Sequence, residues 1–159
     1  MERYTDIEAL RARFPIPTAN CKETMQPEFV EYVEGESLTY NYPVLEIYSN
    51  PRKSMQGGFI GAAFDNTFGG LVILSTGRYE IATVDLCVSY HCPIFENDVM
   101  MVRVNMKSLG KTIAYLTGEA FDSRGRLIAS ATTNIMLLEK ENFHKKTIEE
   151  NNQDESVKR

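Results

Sequence analysis

MQGGFIGAAFDNTFGG, residues Met55–Gly70, is apolar or very small almost throughout, yet Asp65 stands in its middle. Read as a helix from Gly58 to about Ser75, the stretch puts Phe59, Ile60, Ala62, Ala63, Phe64, Phe68, Leu71, Val72 and Leu74 on nearly every side. A helix that is apolar all round is a buried helix. About 18 residues at 1.5 Å each make it about 27 Å long, the width of a small domain. The rest of the chain is therefore expected to wrap it.

After this helix the apolar period changes to two. Ala82, Val84, Leu86, Val88 and Tyr90 alternate with Thr83, Asp85, Cys87, Ser89 and His91. Met100, Val102, Val104 and Met106 alternate with Arg103, Asn105 and Lys107. Strands are thus expected over Ile81–Cys92, Val99–Ser108, Thr112–Phe121 and Leu127–Leu138, with turns at SLGKT and DSRGR and a positive φ at Gly125. Short turns make the sheet antiparallel, and alternation gives it one buried face. One apolar helix and one such sheet make an α+β domain, a curved antiparallel sheet wrapped around one long central helix.

Upstream, TDIEALRARF predicts a short amphipathic helix capped by Thr5 or Asp6, with Ile7, Leu10 and Phe14 on one face and Pro15 and Pro17 ending it. Leu38, Tyr40 and Tyr42 predict one strand, broken near Pro43. The organisation expected is a helix and lead-in over 1–45, a main domain over 46–139 and a charged tail over 140–159. Within 159 residues that is one core. The net charge of −5 gives nucleic-acid binding no electrostatic support. No apolar run looks long enough to span a bilayer, and the charged start lacks a signal-peptide core. Three cysteines without ligand spacing and two histidines argue against a disulfide framework or a multi-histidine metal site. A reduced, cytoplasmic protein is the expectation.

Asp65 is the candidate that matters most. A carboxylate inside an apolar helix costs several kcal/mol unless it is paired. It either caps a nearby loop, or lies on a thin exposed strip with Asn66, or does chemistry. Gly61 and Ala62 one turn before it, and Phe68 and Gly69 one turn after, favour chemistry, because small residues leave room beside it. Gly69 and Gly70 cost roughly 1 kcal/mol each relative to alanine, so something is expected to approach there. Gln56-Gly57-Gly58 opens the helix, where unpaired N–H groups suit a carbonyl oxygen that becomes negative. An ordinary glycine-rich helix entry would read the same. Thr83 lies on the polar phase of its strand and, taken alone, reads as a half-exposed strand residue. His91 reads as a surface histidine, Cys87 has no visible base, and Lys111 sits in a solvated turn.

Four segments together resemble the hotdog-fold acyl-CoA thioesterases, in their PaaI-like branch. These are SNPRKSMQGGFIGAAFDNTFGG, IATVDLCVSYHCPI, VNMKSLGKTIAYL and DSRGRLIASATTNIML, which cover most of Ser49–Leu138. The resemblance implies hydrolysis of acyl-CoA to a free acid and coenzyme A. It implies that Asp65 is the catalytic acid, as general base for water or as nucleophile. It implies that the Gly57 N–H holds the thioester carbonyl, with Asn50 near that carbonyl and Thr83 helping to hold water. Gln56 stands where the branch carries histidine, and glutamine is neither acid nor base at neutral pH. Gly57 and Asp65 are eight residues, hence about 12 Å, apart on one helix. One helix cannot bring both to one carbon, but two antiparallel helices of a two-fold dimer can. A homodimer with shared sites, joined at Ile81–Cys92 and able to pair into tetramers, is expected. Gln56 and Gly58 would border the substrate. Phe64, Phe68 or Leu71 would meet the acyl group, and Arg103, Lys107 and Lys111 the coenzyme phosphates. No metal or separate cofactor is expected, coenzyme A being part of the substrate. A non-catalytic acyl-CoA-binding module, or a hydratase or dehydratase of the same fold, is the alternative.

Overall fold

The computed structural model describes residues 1–14 and 19–139; the expected helix stop at Pro15 and Pro17 and the tail over 140–159 lie outside them. The apolar stretch forms α3, Gly57–Thr76. Gln56 caps its start by accepting from the Gly58 N–H, and Gly77 ends it in the left-handed conformation. The N-terminal helix α1, Ile7–Arg13, is capped by Asp6, which accepts from the Glu8 N–H. Ile7, Leu10 and Phe14 all pack on the core, as their spacing predicts.

Around α3 runs one seven-stranded antiparallel sheet in the order β1-β2-β3-β5-β6-β7-β4. Its strands are β1 (Arg3–Tyr4), β2 (Glu28–Val33), β3 (Ser37–Pro43), β4 (Ile81–Tyr90), β5 (Val99–Leu109), β6 (Ile113–Phe121) and β7 (Leu127–Leu137). The last four agree closely with the period-two expectation, and β3 stops at Pro43. The expected single strand upstream is in fact a hairpin. β2 precedes β3, and the turn between them holds Gly35 at φ 69°. EFVEYV hides its strand period because Phe29, Val30, Tyr32 and Val33 are apolar in both phases. The region read as lead-in thus adds three strands to the main sheet, β3 pairing β5. Two further elements have no sequence signal strong enough to find them: the two-residue β1 and the five-residue helix α2, Asn20–Thr24.

Phe64, Phe68, Leu71 and Val72 are wholly buried between α3 and the sheet. The two phenylalanine rings lie 5.9 Å apart over Gly118 of β6, where a Cβ would come within 3.0 Å of both. Each fully buried ring stabilises the fold by about 2 kcal/mol relative to exposure. Tyr42 of β3 meets Thr67 at 2.9 Å, and the Thr67 hydroxyl donates to the Ala63 carbonyl, so the buried phenol has a partner. Burial pushes the Tyr42 phenol far above its ordinary value.

The sheet does not cover the whole helix. Gly58, Phe59 and Asp65 are exposed and Ala62 is half-buried, while Asn66 lies under α2 through Cys21 and Met25. The close approach expected at Gly69-Gly70 is packing rather than ligand contact. A Cβ on Gly70 would stand 3.0 Å from Leu38, and one on Gly69 would have ordinary room beside Ile81. By length and composition alone α3 could cross a membrane, contrary to the expectation above; in the fold it is the core helix, half buried.

The turn after β6 is locked by a second carboxylate. Asp122, 4% exposed, accepts from the Arg124 and Arg126 N–H groups and from the Arg126 guanidinium. Burial alone would raise its carboxyl; the Arg126 and Arg124 hydrogen bonds outweigh that and hold it below the usual range. A depressed folded value means stabilisation that is complete above the unfolded value of about 3.9 and is lost as pH falls through the folded value. Asp122→Ala should therefore lower Tm at pH 7, by a margin that narrows as both proteins are melted at pH values stepping down towards 3. A margin that stays constant or widens in acid would remove the ionised carboxylate from this account.

Candidate active site

Thr83 and Asp65 meet. The Thr83 hydroxyl donates to Asp65 Oδ1 at 2.8 Å. The strict alternation read from the sequence puts Thr83 on the face opposite Leu86, so the contact needs an explanation. A β-bulge supplies it. Thr83 pairs with Ile135 and Asp85 with the very next residue of β7, Asn134, leaving Val84 as an extra residue. The bulge reverses the phase, so Ile81 and Thr83 face the helix together with Leu86, Val88 and Tyr90. Ala82 and Val84 share the apolar phase in sequence but are exposed.

A groove of ≈ 560 Å³ opens beside this pair, lined by Gly58, Gly61, Ala62, Asp65, Leu86, Val88 and Tyr90. The small side of α3 faces the apolar side of β4. The outer edge of β4, the end strand of the sheet, pairs with nothing among the described residues, and not one of its ten residues is fully buried. Asp65 Oδ2 makes no hydrogen bond among the described residues.

At the helix start, Gln56 Oε1 takes the Gly58 N–H at 2.7 Å. The Phe59 N–H bonds to the Gln56 carbonyl. The Gly57 N–H is left without an acceptor among the described residues. Tyr90 covers this residue from the other side: its hydroxyl donates to the Gly57 carbonyl at 2.8 Å. A Cβ on Gly57 would fall 2.8 Å from the Tyr90 ring, so a larger residue here would have to push that ring aside. Asn50 organises the loop that delivers the helix start. Its Oδ1 accepts from the Arg52 and Ser54 N–H groups and its Nδ2 donates to Ser54 Oγ.

The other sequence candidates lie elsewhere in the single chain. Phe64, Phe68 and Leu71 are in the core and do not line the groove. Arg103 is exposed and pairs in register with Thr39 and Glu119. Lys107 is the extra residue of a bulge in β5 and borders a hollow on the outer sheet face with Cys87 and Ser89. Lys111 sits by Gly77 and Arg78, at the far end of α3 from Gly57. His91 contacts Ser130 at 2.9 Å. Among the described residues no three His, Cys, Asp or Glu side chains gather as a metal site. Sequence reading did not single out Leu86, Val88 and Tyr90 as groove residues, since apolar residues on the inward phase of a strand carry no chemical signal of their own.

The model of the thioesterase superfamily matches residues 53–129, the segment that carries the helix, the bulged strand and the groove. Over those residues the chain is similar to the thioesterase superfamily. Its fold is the hotdog fold, and PaaI-type proteins are among its solved neighbours. A thioesterase from Ralstonia eutropha JMP134, described as related to phenylacetic acid degradation, is 25% identical with a TM-score of 0.70, over 81% of this chain and 96% of that one. The E. coli PaaI protein of the phenylacetic acid degradation operon is 14% identical with a TM-score of 0.71, over 83% and 90%. The smu.793 protein of Streptococcus mutans, solved bound to acetyl CoA, is 19% identical with a TM-score of 0.64, over 70% and 88%. No curated protein matches the sequence.

Proposed function

We propose that the chain hydrolyses acyl-CoA thioesters as a cytoplasmic homodimer whose two sites are each built from both subunits. The observation that carries this is the Thr83–Asp65 hydrogen bond beside an open groove of small residues. With Oδ1 held by Thr83, Oδ2 is directed to a water. Asp65 takes one proton as that water attacks the thioester carbon. The carbonyl electron pair moves to oxygen, and the unpaired Gly57 N–H receives the charge. Collapse of the intermediate breaks the C–S bond. The departing thiolate takes the proton back from Asp65, leaving a free acid and coenzyme A.

About 12 Å along one helix separates the Gly57 N–H from Asp65, so they act on one carbon only across a dimer. The unpaired β4 edge and the uncovered side of α3 are the surfaces such a dimer would close. Gln56 serves as a helix cap here, a task that needs hydrogen bonding and no proton transfer. The acetyl CoA bound by the S. mutans neighbour supports coenzyme A as the carrier. A screen of acyl-CoAs of varied length and of aromatic acyl-CoAs, following free thiol, tests the proposal. Binding of these esters without thiol release would favour the non-catalytic module instead.

A further inference from the structure

Tyr90 is the shared wall of two hollows. On one side lies the Asp65 groove. On the other, Met55, Gly57, Ile60, His91, Cys92 and Pro93 border a second, open hollow of ≈ 470 Å³. Its floor is Met55 and Ile60, each 4% exposed. Of its lining, the hydrolysis described above uses Gly57 alone. Tyr90 is 54% exposed, and one side-chain hydrogen bond, to the Gly57 carbonyl, latches its ring.

We propose that this second hollow receives the hydrocarbon tail of the acyl group and that Tyr90 sets how long a tail can enter. The inference rests on the thioesterase reading of Asp65 and Gly57. Gly57 and Tyr90 both line the second hollow, so a carbonyl held at the Gly57 N–H stands at its margin. Short acyl groups end there. A longer one reaches Ile60 and Met55 only past the ring. An unbranched apolar tail suits that floor, because methionine is flexible and fills irregular gaps. A tyrosine that merely braced the helix start would affect every substrate alike.

The test compares kcat/KM for hexanoyl-CoA and dodecanoyl-CoA in the unaltered protein, Tyr90→Phe and Tyr90→Ala. Tyr90→Phe keeps the ring and removes the latch; Tyr90→Ala removes both. The dodecanoyl-to-hexanoyl ratio should rise a few-fold in the first and by roughly tenfold or more in the second, since pocket fit to a few methylenes discriminates on that scale. Equal changes for both substrates in both variants would overturn the assignment. The same question is put without turnover by calorimetric binding of the S-hexyl and S-dodecyl thioethers of coenzyme A. A shifted thioether ratio in a protein that hydrolyses no ester keeps Tyr90 as the length determinant and sinks the thioesterase reading. An unmoved thioether ratio with normal ester hydrolysis does the reverse, and no thioether binding at all sinks both.

Discussion

Asp65→Asn should cut kcat for acyl-CoA hydrolysis by roughly 10²–10⁴-fold, the usual contribution of a positioned general base, while KM and Tm stay close to those of the unaltered protein. The asparagine carbonyl can still accept the Thr83 hydroxyl that now reaches Oδ1 at 2.8 Å. The groove keeps its shape, and only the basicity is lost. Asp65 lies on the exposed side of α3 in a single chain, away from the Phe64–Phe68 core, so the fold has little reason to respond. Steady-state kinetics beside a melting curve decide it. Turnover near that of the unaltered enzyme, with unchanged melting, would end the catalytic assignment of Asp65.

Refolding Asp65→Ala together with Asn50→Ala should restore activity that neither variant has alone. In a shared-site dimer, Asn50 and Gly57 of one subunit face Asp65 and Thr83 of the other. A mixed dimer then holds one site with both groups intact and one with both defects. Random mixing of equal amounts makes half the dimers mixed, so recovery should approach about a quarter of full activity. Asn50→Ala disturbs the loop that Asn50 organises through Arg52 and Ser54, and that damage stays with the subunit's own helix start. Sites built within one chain would each keep a defect. No recovery, with mixed dimers verified by mass spectrometry, would rule the shared arrangement out.

The central helix was legible because its apolar residues occupy every side of a 3.6-residue period, a pattern that a solvent-facing helix does not carry. β5, β6 and β7 were legible because one of their faces is buried and the other is not. β2 was not, since its apolar residues fall in both phases. Asp65 and the glycines at the helix start stood out by chemistry, a carboxylate and bare backbone inside an apolar stretch. The cations Arg103, Lys107 and Lys111 could be found as residue types, but no local pattern tells which face of a curved sheet they occupy relative to a groove.

By itself, then, the sequence determined the buried helix, the antiparallel strands and the oddity of Asp65, because propensity and periodicity are local properties of the chain. The tertiary structure alone decided that Thr83 meets Asp65. That contact depends on one extra residue, Val84, in the pairing of β4 with β7, and a bulge is a mismatch between two strands rather than a property of either. The same reversal of phase brings Ile81 and Thr83 onto the face where Leu86, Val88 and Tyr90 line the groove. The reason is physical: side chains along a strand alternate with period two, so a one-residue slip in pairing exchanges the buried and exposed sets beyond it.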